Sequence, residues 1–407
     1  MLEDNNLKTM WQSQTLKDVL PLIEGKLNRR GSLNMIQVCK FWRHILKDKV
    51  SDKYPIVINS VEDDKYSKLS WTTVICNAIP CPKFAKVKKL ILAKKIDTLD
   101  WDKLPKGLKM LSINISDNFV SIGAASQVSH IGIRGNFSYA DVIPYNILTP
   151  DVTKLEICGG TSSEYPVDFR RLNIAKYTSL YIKPTNRADG HIPYLTLSYK
   201  TLTKLVINME IMTDLRCFEN LKELNIICEE MDISYLPLKI ENLKMQSEYV
   251  LNFSDLKSYE KIIHYTVGLT NNTKILFPPN VKNVKIKCFN PIDRIPQSVT
   301  EFSCCVKHLD MVYYSSNIQV LKLGVKFLKG VKFSCFTSPL KRIEMGKVVI
   351  TEDMFPDKMN VVSMKLYSDS INLEHLPSDL QVLYVKRQAK ISGVKKRASL
   401  KIFVFAK

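Results

Sequence analysis

The residue types that could carry out chemistry in this chain are its histidines, its cysteines, a glycine-rich loop and its lysines. The six histidines are scattered, and none has the spacing of metal ligands. The glycine-rich loop at 159–163 lacks the lysine of a phosphate-binding loop, and no Gly-x-Ser-x-Gly nucleophile motif occurs. Cys304, Cys305 and His308 come nearest to a metal cluster, but Cys304 falls in an alternating apolar pattern typical of a core strand. We therefore expect no enzymatic activity, no metal and no cofactor.

The lysines are the most prominent of these groups. The chain of 407 residues has 59 Lys and Arg against 40 Asp and Glu, a formal net charge of +19. A field of one sign and this size favours an acidic partner, or nonspecific contact with nucleic acid or a membrane surface. No apolar run approaches the roughly 18 residues of a membrane span, and the first residues do not form a signal peptide. We expect a cytoplasmic or nuclear protein without a membrane span.

The elements that arrange the lysines are revealed by a short recurring phrase. It consists of an apolar residue and Pro, two variable residues, and then apolar-x-x-apolar-x-apolar. Its copies begin at Leu104, Leu236, Phe277, Ile295 and Leu376. Five copies with one offset make chance a poor explanation, and such repetition is typical of solenoids, which present long surfaces for binding.

The apolar triplet of this phrase continues where the Pro is missing. Its first position falls at Val87, Leu108, Val128, Val152, Tyr177, Leu202, Leu221, Ile240, Ile262, Val281, Val299, Ile318, Leu340, Val361, Leu380 and Leu400. The mean period of about 21 residues lies within the range of ~20–29 for leucine-rich repeats. The last two apolar residues are two positions apart, which is the spacing of a strand with one buried face.

The predicted fold class is therefore α/β, a leucine-rich-repeat solenoid of about sixteen units over residues 86–407. Its strands form a parallel sheet on the concave face, and the Pro residues lie in the connecting arcs because Pro has no N–H for a sheet. Residues 51–85 are predicted to be a linker and the N-terminal cap of the solenoid. A small helical module precedes them at residues 10–50.

One repeat resembles a known repeat family. The segment Cys288-Phe289-Asn290-Pro291-Ile292 and the Ile295-Pro296 that follows it are similar to the FNIP variant of the leucine-rich repeat. The other Pro-led phrases lack its Phe-Asn part. Positions that carry Asn or Cys in ordinary leucine-rich repeats hold other residues here, such as Ser116, Glu210 and Phe289. We therefore expect no continuous Asn ladder, and arcs of uneven length.

The N-terminal module has apolar residues at helical spacing from Leu16 to Leu27, then a polar break, then a second apolar group. The simpler interpretation is a helical cap for the solenoid. The second interpretation comes from the phrase Val38-Cys39-Lys40-Phe41-Trp42-Arg43, which resembles the end of an F-box. The first half of the F-box pattern is matched only in its apolar positions.

The F-box resemblance implies that the module binds the Skp-type adaptor of a cullin (SCF) ubiquitin ligase. By position, the residues that would contact the adaptor or hold the helices together are Leu16, Val19, Leu20, Ile23, Val38, Cys39 and Trp42. The resemblance then implies a substrate-recognition subunit whose repeats bind a target protein. Apolar anchors of this kind contribute roughly 1.5–3 kcal/mol each when buried.

The repeat register predicts which side chains face outward from the sheet. The basic residues at these positions are Lys89, Arg134, Lys154, Lys183, Lys204, Lys244, Lys285, Lys287, Lys322, Arg342, Lys365 and Lys386, against the acids Glu156, Glu223, Glu301 and Glu344. We predict a basic seam along the C-terminal half of this face. The partner-binding candidates are Lys244, Lys285, Lys287, Lys322, Arg342 and Lys365. The alternative is that these are ordinary surface lysines of a Lys-rich chain.

The charge and the repeats leave three functional hypotheses. The first is the ubiquitin-ligase receptor, with an acidic or phosphorylated target on the seam. The second is a non-catalytic scaffold that binds an acidic protein. The third is nucleic-acid contact, which is less favoured because Tyr181, Tyr367 and Tyr384 are the only aromatics predicted on this face, too few for a base-stacking platform. Residues 386–407 add a basic end cap or tail without any acid.

Overall fold

The computed structural model of the protein describes residues 56–58, 72–76, 87–123, 127–135, 147–159, 176–183, 200–209, 212, 214–271, 273–288, 290–304, 317–324, 333, 339–355, 359–393 and 399–405. The chain divides into two compact units, Met1–Gly159 and Gly160–Lys407. The predicted helical module at 10–50, with all of its adaptor-contact residues, lies outside the described residues.

The first unit contains one parallel sheet. Its described strands are β1 (Ile56–Ile58), β2 (Thr73–Cys76), β3 (Lys89–Asp100), β4 (Met110–Ile122), β5 (His130–Gly135) and β6 (Lys154–Gly159). Each strand pairs in parallel with the next one along the chain. Two of these strands precede Val87, and the side chains of Val74 and Cys76 on β2 are buried like those of the later repeats. The sheet therefore extends into residues 51–85, ahead of the first predicted repeat.

The second unit repeats the same arrangement. Its main strands are β7 (Ser179–Lys183), β8 (Lys204–Asn208), β9 (Glu223–Asp232), β10 (Asn242–Leu251), β11 (His264–Leu269), β12 (Asn283–Ile286), β13 (Glu301–Cys304), β14 (Val320–Leu323), β15 (Arg342–Met345), β16 (Ser363–Leu366), β18 (Val382–Lys386) and β20 (Lys401–Phe405). They pair in parallel in this order. The short strands β17 (Ser370–Asn372) and β19 (Lys390–Ser392) form a separate pair. The prediction of a repeat solenoid with a parallel sheet is confirmed.

The apolar triplets explain where the strands lie. For fifteen of the sixteen triplets, an observed strand begins two residues after the first apolar position. In β10, for example, Leu243 and Met245 are buried while the residues between and beside them reach the surface. Each fully buried Leu, Ile or Met contributes about 1.5–3 kcal/mol to folding. The same two core positions, repeated along the sheet, supply the continuous core that a single repeat lacks.

The Pro-led phrase has a structural reason for its offset. The carbonyl of Pro105 accepts a hydrogen bond from the N–H of Leu108 at 3.1 Å, and Pro377 does the same for Leu380 at 3.2 Å. The Pro is the first residue of a tight turn whose last residue is the first core position of the next strand. Pro is tolerated there because only its carbonyl takes part in the hydrogen bond of the turn, so the missing N–H is not needed.

Three arcs share an Asx-capped 3-10 turn just before Leu-Pro, which the repeat pattern does not predict. Short 3-10 helices span Trp101–Lys103, Ile233–Tyr235 and Leu373–His375. Each is capped by an Asp or Asn side chain, which accepts the N–H two residues later: Asp100, Asp232 and Asn372. Asx side chains favour such turns because they satisfy a backbone donor that the turn leaves unpaired.

The arcs also require a correction of the predicted α/β class. The described residues contain no α-helix, and their arcs are turns and short 3-10 helices. Only about 14 residues separate β12 from β13, for example, and a turn at each end leaves little room for a helix. The described part of the chain is therefore an all-β solenoid. It also contains no helix long and apolar enough to span a membrane.

Asn290 shows how the FNIP-like repeat is held to its neighbour. Its side chain is 5% exposed, and Nδ2 donates to the backbone carbonyls of Asn271 and Thr273 in the preceding turn. Ile275 and Ile292 form a parallel bridge beside it. A single buried Asn thus performs here the backbone-bonding role that a continuous Asn ladder has in regular leucine-rich repeats.

The last strand differs from its predicted register by one residue. Counting the triplet from Leu400 places Phe403 and Phe405 in the core, but β20 pairs Tyr384 with Phe403 and Val385 with Val404. Phe403 and Phe405 therefore lie on the outward face. The pattern was ambiguous because both alternating sets, Ile402 with Val404 and Phe403 with Phe405, are apolar. A shift of one residue exchanges the two faces of a strand.

Candidate binding surface on the outward face of the sheet

The outward face is the side of the second unit's sheet that lies opposite the core. Each strand presents alternate residues to this face. We call them the second, fourth and sixth positions, because they lie two, four and six residues after the first apolar residue of the triplet, such as Ile240 for β10. In β10 these are Asn242, Lys244 and Gln246, while Leu243 and Met245 face the core. The strand register aligns the same positions of neighbouring repeats in rows across the sheet.

All six predicted partner-binding residues lie on the strands of this face or directly after one. Lys244, Lys285, Lys322 and Lys365 occupy the fourth position of β10, β12, β14 and β16. Arg342 is at the second position of β15, and Lys287 follows the last residue of β12. The structure separates these residues into two groups with different surroundings.

The first group is the central patch, formed by three consecutive strands. Its nine outward residues are Asn242, Lys244 and Gln246 on β10, His264, Thr266 and Gly268 on β11, and Asn283, Lys285 and Lys287 on β12 and just after it. The fourth-position row reads Lys244, Thr266, Lys285. Because neighbouring strands are about 4.8 Å apart, the two lysine backbones are about 10 Å apart, close enough for both ammonium groups to reach one anion.

The three lysines of the central patch have no acidic partner in the part of the chain that the structure describes. No carboxylate there forms an ion pair with Lys244, Lys285 or Lys287. Desolvation lowers the pKa of Lys287 below its ordinary value, and repulsion from Lys244 and Lys285 lowers it further. Both effects disfavour a third positive charge at this place. An anion bound between the lysines would remove that repulsion.

The acidic residues at the second position of the two flanking strands are occupied elsewhere. Glu223 on β9 pairs with Lys204 at 2.8 Å, and Glu301 on β13 pairs with Lys322. Both ion pairs point away from the central patch, toward strands on its far sides. Neither of these two carboxylates therefore neutralises a lysine of the patch.

Neutral groups complete the central patch. Asn283 Nδ2 lies 3.0 Å from His264 Nδ1. When the Asn283 amide donates to Nδ1, the neutral imidazole carries its proton on Nε2. Gly268 contributes no side chain to the sixth-position row, where an added Cβ would lie at ordinary contact distances, 3.6 Å from Lys287 Cβ and 3.8 Å from Gln246 Cγ. The patch thus combines three cations, hydrogen-bond donors and one position without a side chain.

The second group is the paired stretch, formed by β14, β15 and β16 with Glu301 of β13. Its fourth-position row reads Lys322, Glu344, Lys365. Lys365 Nζ lies 3.4 Å from Glu344 Oε1, and Lys322 pairs with Glu301. A hydrogen bond with Tyr367 raises the pKa of Lys365, and the charge of Glu344 raises it further, which is the opposite direction to Lys287.

Further along, the basic residues are again partly neutralised. Asp369 forms ion pairs with Lys386 at 2.9 Å and with Lys347 at 3.1 Å. These two lysines lower the pKa of the Asp369 carboxyl, Lys386 having the larger effect. The predicted seam is therefore interrupted by carboxylates after β12.

An aromatic cluster lies at the C-terminal end of the same face. It consists of Tyr367, Tyr384, Phe403 and Phe405, with Lys365 among the rings. The Tyr384 and Phe403 rings are stacked at 5.4 Å between centroids, and the Tyr367 and Phe405 rings meet edge-to-face at 5.1 Å. Lys365 Nζ lies 4.9 Å from the Tyr367 ring and 5.0 Å from the Phe405 ring. The triplet pattern predicts the two Phe residues in the core and therefore does not predict them on this face.

One carboxylate lies among the predicted basic positions of the first unit. Glu156 on β6 lies 3.2 Å from His130 Nε2 on β5. This contact with His130 lowers the pKa of Glu156, and the charges of Arg134 and Lys89 lower it further. Within the described part of the chain, no group of three or more His, Cys, Asp or Glu side chains is arranged to hold a metal ion.

Comparisons with known proteins give the following results. No protein-family model matches the chain, and no curated protein matches it. Among solved structures, the chain is similar to CroV588, described as a novel circular leucine-rich-repeat protein, with 13% sequence identity and a TM-score of 0.43. The match covers 83% of this chain, and the chain spans 60% of the length of that protein.

Proposed function

We propose that this chain is a non-catalytic recognition protein that binds an acidic partner on the central patch. The observation that supports this proposal is the row Lys244, Thr266, Lys285, with Lys287 beside it and no carboxylate paired to any of the three lysines among the described residues. Carboxylates or phosphates of a partner would supply the missing counter-charges. Hydrogen bonds to charged groups contribute about 1.5–3 kcal/mol each, so two or three of them give useful affinity.

The test is a binding titration with labelled deca-glutamate, followed by fluorescence anisotropy. The variant Lys285→Glu with Lys287→Glu is expected to lose binding at least about 30-fold, because two attractive contacts become repulsive. The matched control exchanges the charges of an existing pair, Lys322→Glu with Glu301→Lys, and should bind like the wild type. Equal affinity of the wild type and the Lys285/Lys287 variant would contradict the proposal.

A second proposal is that the protein is the substrate-recognition subunit of a cullin-type (SCF) ubiquitin ligase. It is supported by the phrase Val38-Cys39-Lys40-Phe41-Trp42-Arg43, which resembles an F-box and precedes the repeats. In that case the acidic or phosphorylated partner on the central patch would be the target for ubiquitin transfer. The protein itself would supply proximity and no catalytic group.

Copurification with a Skp-type adaptor tests this second proposal. The wild type should retain the adaptor, and Leu20→Asp or Ile23→Asp should lose it because a charge replaces a predicted apolar anchor. If the wild type retains no adaptor, the N-terminal module is only a cap and the first proposal stands alone. The deca-glutamate titration is independent of this result.

A further inference from the structure

We propose that the aromatic cluster is a stacking platform for single-stranded nucleic acid. It occupies β16, β18 and β20, whereas the central patch occupies β10 to β12, so the two sites are separate. The proposal goes beyond the binding of an acidic protein and rests on different residues.

Two adjoining rows across three strands combine aromatic and basic side chains. The fourth-position row reads Lys365, Tyr384, Phe403, and the sixth-position row reads Tyr367, Lys386, Phe405. Proteins that bind single strands combine aromatic faces, on which bases stack, with cations that follow the phosphates. The strand register of this sheet produces that combination from four aromatic rings and two lysines.

Phe403 is the ring best placed to receive a base. Its ring stacks on Tyr384 with an interplanar angle of 24°, and 47% of the residue is exposed. In the described part of the chain, β20 pairs with β18 only, so no described strand covers its other side. A base that stacked on Phe403 would extend a stack that Tyr384 and Phe403 already form.

Two basic residues near the rings are available to phosphates. Lys401 begins β20, two residues before Phe403, and Arg387 directly follows β18; both are exposed, and neither has an ion-pair partner among the described residues. Lys386, by contrast, is held by Asp369. Two cations therefore lie on or directly after the strands that carry the aromatic rings.

The chemistry of the cluster favours a single-stranded nucleic acid over the alternatives. An acidic peptide needs cations but has no regular series of flat faces to match the stacked rings. A duplex offers phosphates, but its bases are already stacked inside the helix. A single strand offers both an exposed base and an adjacent phosphate, so that it alone uses the rings and the cations together.

The experiment measures binding of labelled oligodeoxyuridylate and oligouridylate, which share one base and differ in the sugar, each twelve nucleotides long, by fluorescence anisotropy at several salt concentrations. The protein carries Lys285→Glu and Lys287→Glu throughout, so that the central patch does not contribute. Phe403→Ala should weaken binding at least about fivefold at every salt concentration, because one base loses its stacking partner. Phe403→Tyr should retain affinity, and the neighbouring exposed change Val404→Ala should have no effect.

The cations are tested by the salt dependence. Lys401→Ala should lower the slope of log affinity against log salt by about 0.7, whereas Phe403→Ala should leave the slope unchanged. The DNA and RNA arms then show whether the platform distinguishes the two sugars.

Three results would overturn the proposal. They are unchanged binding by Phe403→Ala, equal binding of a duplex of the same length, and deca-glutamate binding that depends on Phe403, which would indicate an acidic-peptide site. A melting temperature of Phe403→Ala equal to that of Val404→Ala excludes an effect of unfolding. These results do not test the binding of an acidic partner at the central patch. That proposal predicts separately that Phe403→Ala, on the otherwise wild-type chain, binds deca-glutamate normally.

Discussion

The central patch and the paired stretch are built from the same repeat positions but have opposite electrostatic properties. In one, the fourth-position row reads Lys244, Thr266, Lys285, and in the other it reads Lys322, Glu344, Lys365. In the first row, Lys244 and Lys285 have no ion-pair partner among the described residues, whereas in the second Glu344 pairs with Lys365 and Glu301 of β13 pairs with Lys322. Desolvation, and then repulsion from Lys244 and Lys285, lowers the pKa of Lys287, whereas the hydrogen bond with Tyr367, and then the charge of Glu344, raises the pKa of Lys365.

This difference shows that the register alone does not make a binding surface. The register decides that a lysine points outward, and the acidic residues at opposite or diagonal positions of the neighbouring strands decide whether its charge is available to a partner. Exposed ion pairs contribute little to stability, typically below about 1 kcal/mol. Their main consequence in the paired stretch is that they reduce the positive field of the face.

The largest expected effect comes from giving the central patch the middle residue of the paired stretch. Thr266→Glu places a carboxylate between Lys244 and Lys285, so the lysines pair internally. Deca-glutamate affinity should fall by about 2–3 kcal/mol, roughly 30- to 150-fold. The control Thr266→Val keeps the shape without the charge and should bind normally. A Thr266→Glu protein that binds as tightly as the wild type would contradict the comparison.

A smaller loss of deca-glutamate affinity is expected from adding a side chain at Gly268. Gly268→Asp introduces a carboxylate next to Lys287, and we expect affinity for deca-glutamate to fall about tenfold, the effect of one charged contact. Gly268→Ala adds only a methyl group at ordinary contact distance from Lys287 and Gln246. It should bind normally and be slightly more stable, because Ala loses less backbone entropy than Gly. Equal losses of affinity for both variants would mean that the added volume, and not the added charge, weakens binding.

The reciprocal change in the paired stretch should produce a small gain. Glu344→Thr converts its row to Lys, Thr, Lys, although Lys322 keeps its pair with Glu301. Affinity for deca-glutamate should rise less than about fivefold, since an ion pair that remains in contact with solvent is worth below ~1 kcal/mol. Glu352→Gln, in an exposed arc, removes the same charge elsewhere and serves as the control. A gain of equal size in the control would indicate a response to net charge alone.

The smallest effect is on the titration of Lys287. Its folded pKa is below the ordinary value, so the folded protein releases this proton at a lower pH than the unfolded chain does. The free energy of unfolding from this group should therefore increase as pH rises from the folded pKa to the unfolded pKa. NMR of ¹³C-dimethylated lysines should show Lys287 titrating below Lys365, and Lys244→Met should raise the pKa of Lys287. The same pKa for both lysines would contradict the electrostatic contrast.

Much of the fold follows from the sequence because the core positions repeat. Fifteen strands begin where the triplets predict, since burying two apolar residues per strand on one side leaves one register. The last strand does not follow, because Ile402 and Val404 compete with Phe403 and Phe405 for the core. The arcs were predicted only at their Pro residues, since the Asx-capped 3-10 turns depend on contacts within each arc.

The sequence pattern predicts which face of the sheet carries the candidate site, but not that its basic residues fall into two groups with different surroundings. All six basic residues lie on the predicted face, yet Lys322 and its partner Glu301 are 21 residues apart in sequence. Such a contact becomes visible only when neighbouring repeats are aligned across the sheet. Aligning the fourth positions would have revealed Thr266 and Glu344 as the residues that separate the two regions. It would not have revealed the aromatic cluster, which depends on the register of β20.

The central claim is that the three lysines of the central patch bind an acidic partner and that the lysines of the paired stretch do not. The most direct measurement is a deca-glutamate titration of the ¹³C-dimethyl-lysine NMR spectrum, with signals assigned by single Lys→Arg variants. The account predicts that Lys244, Lys285 and Lys287 shift first and together, while Lys322 and Lys365 remain near their free positions. Shifts of equal size in both groups, or shifts confined to Lys322 and Lys365, would contradict it.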